Sequence, residues 1–358
     1  MFKPHNPYND LPLLPPQFHD LESKPILKAC IDARGLLGEL KEIGKRIPNQ
    51  SVLINSIPLL EAKDSSEIEN IITTTDKLFQ YSFSESKADH ATKEALQYRT
   101  ALKQGFDLIQ RRPISTRLAE EICSILKGTF MTVRKVPGIK LANPSTEEII
   151  YTPPEGENII REKLKNWEEF IHTQVEIDPL VRMALMHYQF EAIHPFTDGN
   201  GRTGRVLNIL FLIQEGLLEI PVLYLSRFII QNKNDYYKNL LAVTRESKWS
   251  EWILYMLEAV IQTATWTKSR IEMIESLMSE TKVTIKDKLP KIYTHELAEI
   301  IFEQPYCRIQ NLVESGIAKR QTASVYLKEL CKIGVLEERK EGRENIYLNP
   351  KFLEILSS

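Results

Sequence analysis

His194-Pro195-Phe196-Thr197-Asp198-Gly199-Asn200-Gly201-Arg202-Thr203-Gly204-Arg205 gathers a histidine, an aspartate, an asparagine, two arginines and three glycines into twelve residues. Core packing asks for no such mixture. Gly199, Gly201 and Gly204 let the backbone turn tightly and approach a ligand closely. Consecutive N–H groups of Gly199, Asn200 and Gly201 can line up as an anion-binding concavity. The run Val206 to Leu212 is mostly apolar and carries no breaker, so a helix is expected to start near Gly201 and to aim its positive end at the same anion. Cations are disfavoured at a helix N-terminus. Arg202 and Arg205, three apart, therefore point to a multiply charged anion held between them and the backbone. His194 titrates near neutrality and can take a proton from an incoming hydroxyl. Asp198 is a hard oxygen ligand of the kind that meets magnesium on phosphates. The constellation predicts phosphoryl or nucleotidyl transfer.

The same residues, His194-Pro195-Phe196-x-Asp198-Gly199-Asn200-Gly201-Arg202-x-x-Arg205, resemble the complete signature of the Fic family. The resemblance implies transfer of AMP from ATP to a Ser, Thr or Tyr hydroxyl of a target protein or of the chain itself. It implies that His194 deprotonates that hydroxyl and that Asp198 holds magnesium. Gly199, Asn200 and Gly201 would cradle the α- and β-phosphates, with Arg202 assisting and Thr203 and Gly204 in the same nucleotide-binding turn. Arg205 would grip the γ-phosphate.

A second stretch, Glu61-Ala62-Lys63-Asp64-Ser65-Ser66-Glu67-Ile68-Glu69-Asn70-Ile71, reads in two ways. Asp64, Ser65 and Ser66 are good helix N-caps, and Glu67 or Glu69 could close a capping box. Ser65 and Glu69 are also four apart and share a helical face. Ser65-x-x-x-Glu69-Asn70 is similar to the inhibitory helix found N-terminal to the core in one class of Fic proteins. That resemblance implies an inhibitory helix near residues 61–72, with Glu69 on Arg205 occupying the cation meant for the γ-phosphate.

The rest of the chain sets the frame. A length of 358 residues suggests two or three domains, and a formal net charge of −2 shows no global bias toward nucleic acid or membrane. Cys30, Cys123, Cys307 and Cys331 lie far apart without metal or redox spacing, as free thiols in a reducing cytoplasm would. No apolar run approaches the ~20 residues of a membrane helix. Residues 1–25 hold six of the nineteen prolines and read as an extended arm. Tyr8, Leu11, Leu13, Leu14 and Phe18 should pack it along the body. After Pro25, Ile26, Leu27, Ile31, Leu36, Leu37, Leu40 and Ile43 fit an amphipathic helix ending near Pro48.

The expected fold is mainly α: a Fic-fold helical core with a small β-hairpin flap, plus a C-terminal winged-helix-like domain. The expected divisions are an N-terminal helical region 1–110, a catalytic core 111–281 and the C-terminal domain 284–358. Ile139, Leu141 and Ile149 to Tyr151 flank Asn143-Pro144-Ser145 as a hairpin within 136–154. It resembles the family flap that holds a target segment by main-chain pairing. His187 and Glu191 are read as a hydrogen-bonded pair supporting the site, and Ser226 as the cap of a helix holding Tyr236 and Tyr237. Adjacent tyrosines near phosphates are candidates for adenine or ribose contact.

In 284–358, three helices precede a hairpin around Glu341-Gly342. Twelve Lys and Arg against eleven Asp and Glu disfavour DNA binding by that module, and a homodimer scaffold stays open. Three readings of the whole chain follow. The first is an adenylyltransferase restrained by Glu69. The second removes AMP, or moves another phosphate-containing group, on the same site. The third is a nucleotide-sensing, DNA-binding regulator. The intact His194 favours an enzyme, since a sensor needs no base.

Overall fold

The computed structural model describes residues 2–17, 20–82, 85–142, 146–341 and 344–358. Phe18, the hairpin tip Asn143-Pro144-Ser145 and Gly342 lie outside the described residues.

The N-terminal arm is extended and is held by its carbonyls, as a proline-rich segment short of N–H donors must be. Lys163 Nζ donates to Leu11 O (2.7 Å), Gln189 to Pro12 O (2.8 Å) and Asn166 to Leu14 O (2.9 Å). Tyr8 N–H adds a bond to Thr152 O at 3.0 Å. Helix α1 (Lys24–Gly44) has Pro25 in its first turn, where a missing N–H is harmless. It buries Ile26, Cys30, Ala33, Leu37 and Leu40. Leu27 and Ile31, expected inside, are 42% and 70% exposed. They sit one step, about 100°, round from Ile26 and Cys30, and the 26-30-33-37-40 stripe takes the core instead.

Next come α2 (Ser51–Ile54), α3 (Ile57–Ile68), α4 (Thr75–Tyr81), α5 (His90–Ile109) and α6 (Thr116–Lys127). Thr74, Asp89 and Ser115 cap the last three by accepting a backbone N–H. Strands β1 (Leu141–Ala142) and β2 (Ile149–Tyr151) pair antiparallel, Leu141 opposite Tyr151, as the expected hairpin. Then follow α7 (Glu157–Thr173), α8 (Pro179–Ile193), α9 (Asn200–Gln214), α10 (Leu225–Gln231), α11 (Lys233–Glu246) and α12 (Trp249–Lys288). Helices α8 and α9 are buried on nearly every face. A helix without a polar face belongs at the centre of a domain. The loop joining them, residues 194–199, is thereby fixed at both ends by core.

Helix α12 runs forty residues, about 60 Å. It packs on α1, α8, α10 and α11 and then on the C-terminal elements. Those are α13 (His295–Ile300), β3 (Tyr306–Arg308), α14 (Ile309–Glu314), α15 (Arg320–Lys332), β4 (Glu337–Glu341), β5 (Glu344–Leu348) and α16 (Pro350–Ser357). The sheet order is β3-β5-β4, all antiparallel. Three helices and a hairpin are where the pattern puts them. Strand β3 is too short for an alternation to show, and α16 adds a closing helix. Side chains tie this unit to α4: Tyr306 Oη donates to Asp76 (2.6 Å), and Ser82 Oγ to Gln304 (2.5 Å). No described helix is long and apolar enough to cross a membrane.

Trp252 marks the junction of α12 with the site. Its ring is fully buried, stacks on His187 and Tyr255, and donates to Ala184 O at 2.8 Å. Trp252→Ala should cost about 3–5 kcal/mol in denaturant unfolding. A loss under about 1 kcal/mol would show that α12 does not brace α8 through this ring.

Candidate active site

Helix α8 delivers the chain to His194, its C-cap, in the left-handed region at φ 51°. That conformation is uncommon outside glycine and turns the chain sharply. Buried Arg134 staples the turn. Its Nε donates to His194 O (2.8 Å), its Nη2 to Pro154 O at the base of the hairpin (2.5 Å), and its N–H to Pro195 O (2.8 Å). Asn200 closes the loop from the other side, accepting from Phe196 N–H and donating to Phe196 O, both at 2.8 Å. Its side chain is thus committed to the loop, and anion binding falls to backbone N–H groups. Gly199, at φ 82°, is the N-cap, so α9 begins at Asn200, one residue before the expected start. Burial, reinforced by Arg134, pushes the His194 pKa down to about 4, and its Nδ1 is buried without a hydrogen-bond partner. The ring is neutral at pH 7.

Asp198 lies on the outer side of the loop, its side chain 61% exposed. Lys127 Nζ sits 2.5 Å from its carboxylate and Gly199 N–H 2.6 Å. Partial burial favours protonation, but Lys127 outweighs it and the pKa is lowered. No group of three or more His, Cys, Asp or Glu among the described residues could hold a metal alone. An accessible ionised carboxylate beside an anion nest fits magnesium that arrives carrying phosphate oxygens.

The two arginines reach different helices. Arg202 Nη1 donates to Glu94 on α5 at 2.8 Å. Arg205 is 1% exposed, and it donates to Ser65 Oγ, Ser65 O and Glu69 Oε1, each at 2.8 Å. Burial opposes its charge. Glu69 above all offsets this, and the pKa is raised. A Cβ on Gly201 would clash with Glu69 Oε1. Only glycine there lets the carboxylate approach.

The helix that supplies Glu69 differs from the cap reading. It starts at Ile57 and ends at Ile68, with Glu69 as its C-cap and Asn70 stopping it at φ 62°. Asp64, Ser65 and Ser66 lie inside it and cap nothing. Asp64 accepts from Tyr224 Oη (2.5 Å) and from neighbouring Lys63 (2.9 Å), Ser65 meets Arg205, and the Ser66 hydroxyl is buried without a partner. One turn earlier, fully buried Glu61 accepts from Ser226 N–H (2.8 Å), Ser226 Oγ (2.5 Å) and Tyr98 Oη (2.9 Å). Burial pushes its pKa up to about 7. Ser226, expected as a cap, lies within α10 and serves Glu61 instead. Asn70 accepts from Lys233 Nζ at 3.3 Å.

Tyr236 and Tyr237 part company. Tyr236 is buried, its hydroxyl 2.8 Å from His187 Nε2, whereas the neighbouring Tyr237 ring is 46% exposed. His187 and Glu191 do not form the expected pair, because His187 has turned to Tyr236. His187 Nδ1 and Glu191 Oε1 are left unpartnered against Gly204, where a Cβ would meet Glu191 Oε1 at 2.7 Å. Burial lifts the Glu191 pKa to about 8 and drops that of His187 to about 3. Glu94, Lys127 and Arg134 escaped the sequence reading. Each is a single charge on a segment with no local pattern, and only tertiary packing brings it to the motif.

Comparison with known proteins finds the family that the motif resembles. A model described as Fic/DOC family matches residues 106–212, and one described as Fic/DOC family N-terminal matches residues 27–107. The chain belongs to the Fic/DOC family. A third model, for the C-terminal domain of SoFic-like protein adenylyltransferases, matches residues 277–352 of this Fic protein. Relatives include protein adenylyltransferase fic-1 of Caenorhabditis elegans, 35% identical over 92 residues, and a probable protein adenylyltransferase of Aquifex aeolicus, 38% over 72. These alignments cover 25% and 20% of the chain and only 17% and 21% of the relatives. A solved structure of Fic-1 from C. elegans shares the fold at TM-score 0.53 and 17% identity, covering 69% of this chain and 73% of that one.

Glu191 gives a stability test. Its folded pKa lies above the ordinary carboxylate value, so its contribution is complete below about pH 4.5 and is lost as pH rises toward 8. Glu191→Gln keeps the shape and cannot ionise. Its unfolding free energy should gain on wild type by up to about 1.4 kcal/mol per pH unit between pH 5 and 8. Parallel pH curves for the two proteins would mean that Glu191 is charged in the fold.

Proposed function

We propose that this Fic protein is a protein adenylyltransferase that moves AMP from ATP to a hydroxyl of a target protein or of itself, and that Glu69 holds it down. The observation that carries the reading is a neutral, unpartnered imidazole at the lip of a helix N-terminus that also bears two buried arginines. His194 accepts the hydroxyl proton. The freed oxygen forms a bond to the α-phosphorus, the α–β phosphoanhydride bond breaks, and pyrophosphate leaves. The backbone of Gly199 to Gly201 and the positive end of α9 receive the α- and β-phosphates, with Arg202 beside them. Asp198 is the residue that would hold magnesium, whose chemistry there is to neutralise charge on the phosphates. Arg205 takes the γ-phosphate once Glu69 has left it, and Tyr237 offers an exposed ring to the nucleoside.

The hairpin supports the target side of the proposal. Tyr151 Oη donates to Ala192 O at 2.8 Å, and Arg134 bridges Pro154 O to His194 O, so the hairpin is tied directly to the base. Four free cysteines agree with a cytoplasmic setting. The 295–348 elements, in the order helix, strand, helix, helix, hairpin, agree with a winged helix.

Incubation with AMP-tagged ATP and magnesium should label protein weakly in wild type and about 10- to 100-fold more in Glu69→Gly, the range that 1.4–3 kcal/mol of relief supplies. His194→Ala should abolish labelling in either background. Labelling that ignores His194→Ala would remove the mechanism.

In the Glu69→Gly protein the base should stay active to low pH. Its imidazole is held neutral, and loss of Glu69 removes one charge that favours the imidazolium, so the acid limb of kcat/KM should fall at or below about pH 4. A limb at the ordinary histidine value, near 6.5, would show that the ring is solvated in the working enzyme.

A further inference from the structure

Residues 309–332 form a helix-turn-helix: α14, a turn containing Gly316 at φ 70°, and α15. The near-balanced charge of 284–358 speaks against a phosphate-binding module only if both signs are mixed on every face, and they are not. Most acids of this unit already have partners. Glu299 meets His295 (2.8 Å), Glu303 accepts from Asn49 (3.0 Å), Glu329 pairs with Lys332 (2.6 Å), and Glu344 with Arg308 (2.9 Å). Lys319, Arg320 and Lys328 are exposed, and none has an ion pair among the described residues. Two of them stand at the N-terminus of α15, where the helix dipole disfavours cations.

The exposed face of α15 is ordered as well as charged. Gln321, Val325, Lys328 and Lys332 follow one another at i, i+4, i+7 and i+11, opposite the buried Ala323, Leu327 and Leu330. Val325, 53% exposed, sits in the middle of this stripe, where a surface helix has no packing use for it. The unit joins the body through Gln304, Tyr306 and Arg308, so docking on α4 uses β3 and its approach, and α15 packs on α14 and β4.

We propose that α15 binds double-stranded DNA in the major groove. Lys319, Arg320 and Lys328 meet phosphates. Gln321 and Thr322, at the start of the helix, face base edges, and Val325 meets a thymine methyl. This does not rest on the transfer reading.

The test uses the full chain and a mixed-sequence duplex of about 30 base pairs, followed by fluorescence anisotropy between about 50 and 200 mM salt. Three phosphate contacts predict a log–log salt slope of about −3. Lys319→Ala, Arg320→Ala and Lys328→Ala should each lower its magnitude by about one. Selection from a randomised duplex library should return a sequence preference that Gln321→Ala and Thr322→Ala relax while keeping the slope. No binding at the lowest salt, a slope unmoved by the triple alanine variant, or stronger binding to single-stranded RNA or to polyglutamate would each overturn the proposal. An unchanged thermal transition in the triple variant shows that any loss is not unfolding.

Discussion

A guanidinium fully enclosed by protein must have an anion beside it. Arg205 is such a group, and its place in the first turns of a core helix leaves it no route to water. Removing the partner of a buried ion costs about 3–5 kcal/mol. Glu69 and the two oxygens of Ser65 supply that partner when no nucleotide is present. On the proposed reading, restraint and stability are therefore one interaction. On that reading, a site for the terminal phosphate of ATP would be unstable without a substitute anion, and the chain carries its own. Whatever displaces Glu69 must bring negative charge with it, which is what a triphosphate does.

The way α3 is anchored limits how that exchange can occur. Glu61 and Asp64 tie the body of the helix to Tyr98, Tyr224 and Ser226 through buried oxygens, and nearly all of its residues are inaccessible. Undocking it would expose a buried carboxylate and a long apolar face. Glu69 sits beyond these anchors, at the C-cap, with its side chain 35% exposed and Asn70 already in a left-handed turn. The exchange of anions thus needs only the last turn to yield, while Ser65 can stay with Arg205. Arg202 differs, since its partner Glu94 lies within α5 and not at a helix C-cap.

How much of this the sequence discloses depends on how local each interaction is. The His194–Arg205 stretch is readable because its base, carboxylate, glycines and cations are contiguous, and the apolar run behind them announces the helix. Glu69 is readable only through its spacing from Ser65 and the family resemblance. Local preference misleads at Asp64, Ser65 and Ser66. These residues favour caps when isolated, but inside α3 Asp64 meets Tyr224, Ser65 meets Arg205, and the Ser66 hydroxyl is buried without a partner. His187 and Glu191 mislead similarly, since helical spacing puts them together while Tyr236, forty-nine residues on, takes the imidazole.

Gly201 shows how closely the restraint and the proposed chemistry are superimposed. An anion nest needs backbone N–H groups that a ligand can touch, and a Cβ at this position would stand in the way. The structure shows that the same missing atom admits the Glu69 carboxylate to Arg205. One absence therefore serves two anions that compete for one space. A larger residue there would expel the glutamate and crowd out the phosphates together, so release gained by substitution at 201 would come with a damaged cradle. Release gained at Glu69 leaves the cradle whole. On the proposed reading, brake and binding surface can share one point because the brake is a side chain from elsewhere, and the surface is backbone.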